Sequence, residues 1–184
     1  MLLLAKTGND SYPYDPQWNV YNFGTNSSIR LVVTNSSPLS HPIHLHGHIF
    51  WVLAQGTGTW DGTIENNINP PRRDVHILPA ESENGPGYVV LEFSANNPGV
   101  WPFHCHIAWY ASNLSFSFFG LFQWYWAKAN KNINRHVSTG FYASILYQPE
   151  EIQNLDIPSS AATACRNWAN FTNADVVDQI DSGL

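Results

Sequence analysis

The residues of this sequence with the greatest potential for chemistry are five histidines and one cysteine, which lie in two short clusters. The first cluster contains His41, His44 and His46, and the second contains His104, Cys105 and His106. In a β-strand, alternate side chains point to opposite faces. We therefore expect His104 and His106 to share one face while Cys105 points to the other. His44 and His46 likewise share a face, and His41 can turn towards Cys105. Two metal sites could then be connected by a few covalent bonds, which suits electron transfer.

Imidazole combined with one thiolate is a donor set that suits copper. A trigonal site of two histidines and one cysteine, with a weak axial ligand, is typical of copper centres that transfer electrons. Structural zinc sites instead favour four ligands with closely spaced cysteines, and the two cysteines here are far apart in the sequence. A single histidine in a strand is usually structural. Two His-x-His clusters, one of them around a cysteine, favour a metal site.

Two longer segments around these residues resemble the C-terminal copper motifs of multicopper oxidases. They are HPIHLHGH at 41–48 and WPFHCHIAW at 101–109, and they are most similar to those of ascomycete fungal laccases. The similarity extends to NPPRRD at 69–74, to NPGVW at 97–101 and to the last four residues, 181–184, which resemble the processed C terminus of those enzymes. The resemblance implies that the chain is the third, C-terminal cupredoxin domain of such an enzyme.

The resemblance also implies a type 1 copper site, where electrons enter. His41, Cys105 and His136 would hold this copper, and Phe141 would occupy the axial place without being a ligand. Because a phenyl ring cannot coordinate, we expect the oxidised metal to be destabilised and the potential to be higher than with an axial methionine.

The remaining histidines of the motifs would serve a cluster of type 2 and type 3 copper ions. By resemblance, His44 would bind the type 2 ion and His46, His104 and His106 would bind the type 3 pair. His48 has no copper role in the family pattern, and we expect it to hydrogen-bond behind the ligands.

The implied activity is one-electron oxidation of phenols or aryl amines, coupled to reduction of dioxygen to water. The first and second cupredoxin domains are missing from this chain, and the first would supply the other cluster histidines. We therefore expect the fragment alone to be inactive. Two alternatives remain at this point: a mononuclear blue-copper electron carrier, and an inactive, copper-poor splice product.

The sequence departs from the family pattern directly after Trp109. The family places the second type 1 histidine next, but this chain has Tyr110 there and Ser115 at the corresponding axial position. The pattern resumes at His136, which is followed by the expected spacing to Phe141.

We interpret residues 110–135 as a foreign insert, either retained intron sequence or a segment without fixed structure. The codons of Trp109 and Tyr110 could contain a GT splice donor, and an AGG codon for Arg135 would contain the acceptor. A genuine isoform loop is the alternative. A loop of 26 residues between two ligands of one metal would cost closure entropy and ligand precision.

The composition is typical of a secreted, β-rich domain. Aromatic residues make up 14% of the sequence and charged residues 12%. A length of 184 residues is enough for one domain with a hydrophobic core. The net charge of −6 argues against nucleic acid or an anionic membrane as partner. Residues 1–5 are too short for a signal peptide, so we expect a C-terminal fragment of a secreted protein.

Two further features favour an extracellular glycoprotein. Five N-glycosylation sequons begin at Asn9, Asn26, Asn35, Asn113 and Asn170. Cys165 is left over once Cys105 is assigned to metal, and an odd cysteine in a secreted protein suggests a partner elsewhere. By resemblance, the cysteine of a stretch such as 165–168 bonds to the first domain. The alternative is a buried free cysteine on a C-terminal helix.

Short segments with alternating or β-branched residues predict strands at 28–34, 49–53, 74–78, 88–93 and 142–146. His76 lies in the third of these and we interpret it as structural. A loop rich in Gly, Asn and Pro is expected over 56–72, and a helical pattern covers 160–171. The predicted fold class is all-β, a cupredoxin-like Greek-key β-sandwich with a short C-terminal helical segment.

The predicted organisation has three parts. Residues 1–109 and 136–160 would form the cupredoxin (plastocyanin-like) domain, 110–135 the insert, and 161–184 the C-terminal helix and tail.

The splice hypothesis predicts that mature message joins the codons of Trp109 and His136 directly. Sequencing the transcript across this junction tests it. A message that retains all 26 intervening codons would contradict the hypothesis and favour the inactive isoform.

Overall fold

The computed structural model describes residues 2–7, 19–106 and 142–174. Within these ranges the chain forms nine strands and three helices. The strands are β1 (Val20–Asn22), β2 (Ser28–Asn35), β3 (His41–Leu45), β4 (Phe50–Thr57), β5 (Arg72–Arg73), β6 (Val75–Leu78), β7 (Gly87–Ser94), β8 (Gly99–Cys105) and β9 (Tyr142–Tyr147). The helices are α1 (Leu2–Lys6), α2 (Pro149–Gln153) and α3 (Ser159–Ala174).

The strands form two sheets whose inner faces share one core. The five-stranded sheet has the order β1-β9-β8-β3-β6, and the four-stranded sheet has the order β2-β7-β4-β5. β1 runs parallel to β9, whereas the other pairs are antiparallel. The predicted all-β sandwich is confirmed, as are the five predicted strands; their ends differ by at most one residue, except that β4 ends four residues later than predicted.

Alternation of side chains explains how β2, an edge strand of the smaller sheet that pairs with β7, contributes to the core. Ile29, Leu31 and Val33 of β2 point inward and are almost completely buried. The intervening Arg30 points outward, where it forms an ion pair of 2.6 Å with Glu92 on the neighbouring strand. The period of two therefore separates core from surface along the whole strand.

The core joins inward side chains from both sheets. Phe50 and Phe93 of the smaller sheet lie in the same cluster as Ile43, Phe103 and Tyr147 of the larger one. Burying an aromatic or branched side chain contributes about 1.5–3 kcal/mol. This shared core fixes the larger sheet, whose strands β3 and β8 contain the six candidate ligands of the two clusters or lead directly into them.

The predicted end of β4 is wrong. Gly56 and Thr57 continue the strand and pair with β7 instead of starting a loop. A register shift between Val52 and Ala54 places Leu53 and Ala54 together in a second apolar cluster, where Trp60 and Ile64 of the following loop pack against it. The extra residue of a β-bulge bends the strand and lets pairing resume beyond it.

Helices α1 and α2 pack against Leu146 of β9. Because its neighbours Ile145 and Tyr147 point into the core, these helices lie on the outer face of the five-stranded sheet. Ala5 of α1, which the sequence pattern did not predict, packs with Leu146 and with Ile152 of α2. The predicted helix at 160–171 is confirmed within α3. Among the described residues, no helix is both long enough and apolar enough to span a membrane.

One of the predicted sequons is part of the interior. Asn35 is only 1% exposed, and its side-chain amide donates to the carbonyls of Leu39 and Pro79 at 2.7 and 2.8 Å. Asn26, by contrast, lies on an exposed turn. Asn35 in the folded domain is therefore not accessible for glycan attachment.

The shared core predicts a large penalty for truncating Phe93. Because this ring is fully buried between the sheets, Phe93→Ala is expected to reduce the free energy of unfolding by about 3–5 kcal/mol. Urea unfolding measures the change. Ile68→Ala is the control, since Ile68 is 93% exposed and its loss should change stability by less than about 0.5 kcal/mol. Equal losses in the two variants would contradict this account of the core.

Candidate metal centre

The antiparallel pairing of β3 with β8 brings the two candidate clusters together. His44 lies directly opposite His104, and Ile43 lies opposite Cys105. Opposite residues in an antiparallel pair point to the same face of the sheet. The imidazoles of His44 and His104 therefore project from the outer face, while Cys105 points in the opposite direction, as the spacing predicted.

On the inner side, His41 and Cys105 lie next to each other. His41 is 2% exposed, and its Nδ1 lies 3.7 Å from Sγ of Cys105. Two donor atoms that share one metal through bonds of about 2.0 and 2.3 Å are separated by about 3–4 Å. The prediction that His41 turns towards Cys105 is confirmed, and the spacing of the two atoms fits a common metal ion.

On the outer side, the four remaining histidines of the clusters form one group. Ring centroids are separated by 4.8 Å for His44 and His46, 5.0 Å for His46 and His104, and 5.7 Å for His104 and His106. The Nε2 atoms of His46 and His104 are 2.9 Å apart. The two histidines of each His-x-His thus share a face, as predicted.

Backbone carbonyls fix which ring nitrogen carries the proton in two of these histidines. Nδ1 of His44 donates to the carbonyl of Asp74 at 2.7 Å, and Nδ1 of His104 donates to the carbonyl of Cys105 at 2.9 Å. A neutral imidazole with its proton on Nδ1 presents the lone pair of Nε2. The Nε2 atoms of His44 and His104 are therefore the ring atoms that could bind a metal ion.

The electrostatic setting favours neutral rings. Burial lowers the pKa of His46, and the neighbouring rings of His104, His44 and His106 lower it further. The pKa of His104 is lowered mainly by burial, against the opposing hydrogen bond to the Cys105 carbonyl. Burial also lowers the pKa of His41. A histidine must be neutral to bind a metal, so these shifts prepare the site.

Within the described residues, no group of three or more His, Cys, Asp or Glu side chains surrounds a common point for a metal ion. His41 and Cys105 instead form a pair on the inner side, and the four outer histidines contact one another ring to ring. Each implied copper set has a further member elsewhere. For the inner pair this member is His136, which lies outside the described residues. So do Phe141, the segment 110–135 and the tail 181–184.

Next to the outer histidines in the sequence, His48 anchors the turn that follows β3. This histidine is 9% exposed; its Nδ1 donates to the carbonyl of His46 at 2.8 Å, and its Nε2 lies 2.5 Å from the hydroxyl of Tyr147. The predicted hydrogen-bonding role of His48 is confirmed. His76 lies in β6 as predicted and contacts Oε1 of Gln55 at 2.8 Å.

Asn97 and Tyr147, which the sequence analysis did not identify as functional, extend the hydrogen bonds around His48. Asn97 donates from its side chain to the carbonyl of Gly47 at 3.2 Å and from its backbone to the Tyr147 hydroxyl at 3.0 Å. Its own carbonyl accepts from the indole of Trp101 at 2.8 Å. Only the NPGVW resemblance pointed to this segment, because a backbone acceptor leaves no trace in the sequence.

Cys165 is separate in the sequence from the two candidate clusters and lies in α3. It is exposed on α3 and has no disulfide partner within the described residues. The alternative of a buried free cysteine is wrong, because the thiol faces solvent. The helical placement that this alternative assumed is correct.

Comparisons with known proteins agree with this geometry. The sequence model of the multicopper oxidase family matches residues 3–117. Laccase-2 of Botryotinia fuckeliana is 53% identical over 148 residues, which cover 78% of this chain and 20% of that protein. Dihydrogeodin oxidase of Aspergillus terreus is 32% identical over 179 residues, covering 91% of this chain and 24% of that protein.

Solved structures have the same fold. The crystal structure of the laccase from Botrytis aclada aligns with a TM-score of 0.68 at 27% identity, over 99% of this chain and 29% of that chain. The cupredoxin-like fold is therefore confirmed. The chain spans about a fifth of the length of the curated relatives it matches.

We predict that any side chain at position 47, in the turn between His46 and His48, lowers the free energy of unfolding. Gly47 has a φ of +70°, and a Cβ atom there would lie 2.5 Å from the ring of Trp101. Gly24 has a φ of +62° but open space around it. Gly24→Ala should therefore reduce the free energy of unfolding only by the cost of placing an alanine in the left-handed region, about 1–2 kcal/mol. Gly47→Ala should reduce it clearly more, because the new methyl group would also clash with the Trp101 ring.

Urea unfolding of the two variants measures this difference. A loss for Gly47→Ala no larger than that for Gly24→Ala would show that the Trp101 ring moves aside without cost.

Proposed function

The chain belongs to the multicopper oxidase family and its cofactor is copper; on that basis we propose that His41 and Cys105, with His136, hold a type 1 copper in a laccase-like enzyme. The observation that supports this most directly is the 3.7 Å separation of His41 Nδ1 and Cys105 Sγ on the inner side of the sheet. We further propose Phe141 as the axial, non-coordinating neighbour.

The outer histidines would bind the remaining copper ions. We assign His44 to a type 2 copper, and His46, His104 and His106 to a type 3 pair. Their donor chemistry fits, because imidazole is a good ligand for copper, and burial lowers the pKa of His46 and His104, which favours their neutral, metal-binding form. Other ligands would come from the first cupredoxin domain of the full-length protein.

Copper, when bound, supplies one-electron redox chemistry. The chain supplies the connection between the two faces, since Cys105 is bonded through the backbone to both His104 and His106. His44 and His104 face each other across the β3–β8 pair, so the register of one strand pair positions both sites. Rigid strands also limit the rearrangement of ligands during electron transfer.

The activity of the full-length enzyme would be the oxidation of phenols or aryl amines by one-electron steps. Four such steps would reduce one dioxygen to two water molecules. We propose a secreted fungal glycoprotein, with the exposed Asn26 among its acceptor sites. This chain without the other domains would bind copper incompletely and would not reduce dioxygen.

The grouping of the outer histidines disfavours one of the two alternative functions. A mononuclear electron carrier needs only the inner site and would leave the four gathered outer histidines without a role. An inactive, copper-poor product would require that His136 fails to join the inner pair.

Replacing the two cysteines one at a time tests whether the blue absorption requires Cys105 in particular or any thiol of the chain. In the copper-loaded full-length protein, Cys105→Ser should abolish the intense blue absorption, because this band requires thiolate bound to copper. Cys165→Ser should retain the band per mole of folded protein, since Cys165 is exposed on α3. Visible absorption and copper content per chain are the measurements. A blue band that survives Cys105→Ser would exclude the proposed type 1 site.

A further inference from the structure

Ser37 contacts the buried side of His41. Its Oγ lies 2.9 Å from Nε2 of His41, the ring nitrogen that points away from Cys105. Ser37 is 8% exposed and His41 is 2% exposed, so water contributes little to this contact. The family resemblance assigns no role to Ser37.

The surrounding acceptors determine the direction of this hydrogen bond. The Ser37 hydroxyl also lies 3.0 Å from the carbonyl oxygen of Leu39, and a carbonyl can only accept. The single hydroxyl proton of Ser37 is therefore directed to Leu39. The contact with His41 then requires that Nε2–H of the imidazole donates to Oγ. In this tautomer Nδ1 carries the lone pair that faces Sγ of Cys105.

Asn35 holds Ser37 in place. Its Oδ1 accepts from the backbone N–H of Ser37 at 2.9 Å, while its amide group donates to the carbonyls of Leu39 and Pro79. This arrangement is an Asx turn at the end of β2, braced against the chain that follows β6. The sequon that begins at Asn35 thus has a structural use, which explains why this asparagine is buried.

We propose that Ser37, held by Asn35, is a positioning residue that sets the tautomer and ring orientation of His41 for copper. This inference rests on the proposed type 1 site at His41 and Cys105. An acceptor on the remote nitrogen of a metal-bound imidazole increases the basicity of the ligand. Ser37 therefore strengthens binding and favours the oxidised metal.

Removal of the hydroxyl tests the proposal in the copper-loaded full-length protein. Ser37→Ala should raise the reduction potential of the type 1 copper and weaken copper binding at this site by about 10- to 100-fold. Ser37→Thr retains a hydroxyl and should restore both values towards those of the wild type. The readouts are the potential, the copper hyperfine splitting in the EPR spectrum and the copper content, and none of them depends on turnover.

Ser40→Ala is the matched control. Ser40 is exposed on the same loop next to His41, and its hydroxyl accepts from the backbone N–H of Ala80 at 3.0 Å. This variant should keep the wild-type potential and copper affinity. If Ser37→Ala does not fold, Ser37→Cys keeps the size of the side chain but accepts hydrogen bonds weakly. It should shift the potential in the same direction by less.

Three results would overturn the proposal. A folded Ser37→Ala protein with wild-type potential and affinity would show that the contact is incidental. Equal shifts in Ser37→Ala and Ser40→Ala would indicate general loosening of the loop. A wild-type protein without thiolate-bound copper would contradict the proposed function itself, and this inference with it.

Discussion

The pairing register of β3 with β8 is the constraint on which the rest of the structure depends. It places His44 opposite His104 on one face and, on the other, leaves Cys105 beside His41. Because side chains alternate with a period of two, a slip of one residue would exchange the faces of one strand and separate both groups. The sandwich core resists such a slip, since it would also expose Phe103 and the other inward residues of these strands.

Around the β3–β8 pair, hydrogen bonds to backbone carbonyls determine the orientation and tautomer of several histidines. The carbonyls of Asp74 and Cys105 set the tautomers of His44 and His104, and the carbonyl of His46 holds His48. Most of these acceptors come from the sheet or from turns that directly follow strands, so they are as rigid as the sheet itself. Ligand orientation is therefore determined largely by the fold and only partly by side-chain identity.

The period of two explains why so much of the site was predictable. Strand positions, the shared face of each His-x-His and the turn of His41 towards Cys105 follow from local alternation. Contacts that depend on long-range packing were not predictable: Tyr147 meets His48 across 99 positions of the chain, and nothing local marks either as a partner. Local signals gave wrong predictions where packing decides the outcome. Strand β4 continues beyond a bulge to Thr57, although Gly56 predicted a loop. The sequon at Asn35 is a buried turn. His136 and Phe141 lie outside the described residues, so their roles stay predictions.

The strand β6 forms an edge of the larger sheet in the described part of the chain, and its outward residues Val75 and Ile77 are exposed, with Val75 next to His44. The surface that holds the outer histidines is thus also one that could associate with other polypeptide segments, because exposed apolar side chains lie beside edge-strand backbone groups that can form further hydrogen bonds. Such a surface needs a cover to stay soluble. Any element that paired with β6 would bury Val75 and Ile77 and would also lie beside His44, so covering this edge and closing the outer histidine group would be coupled.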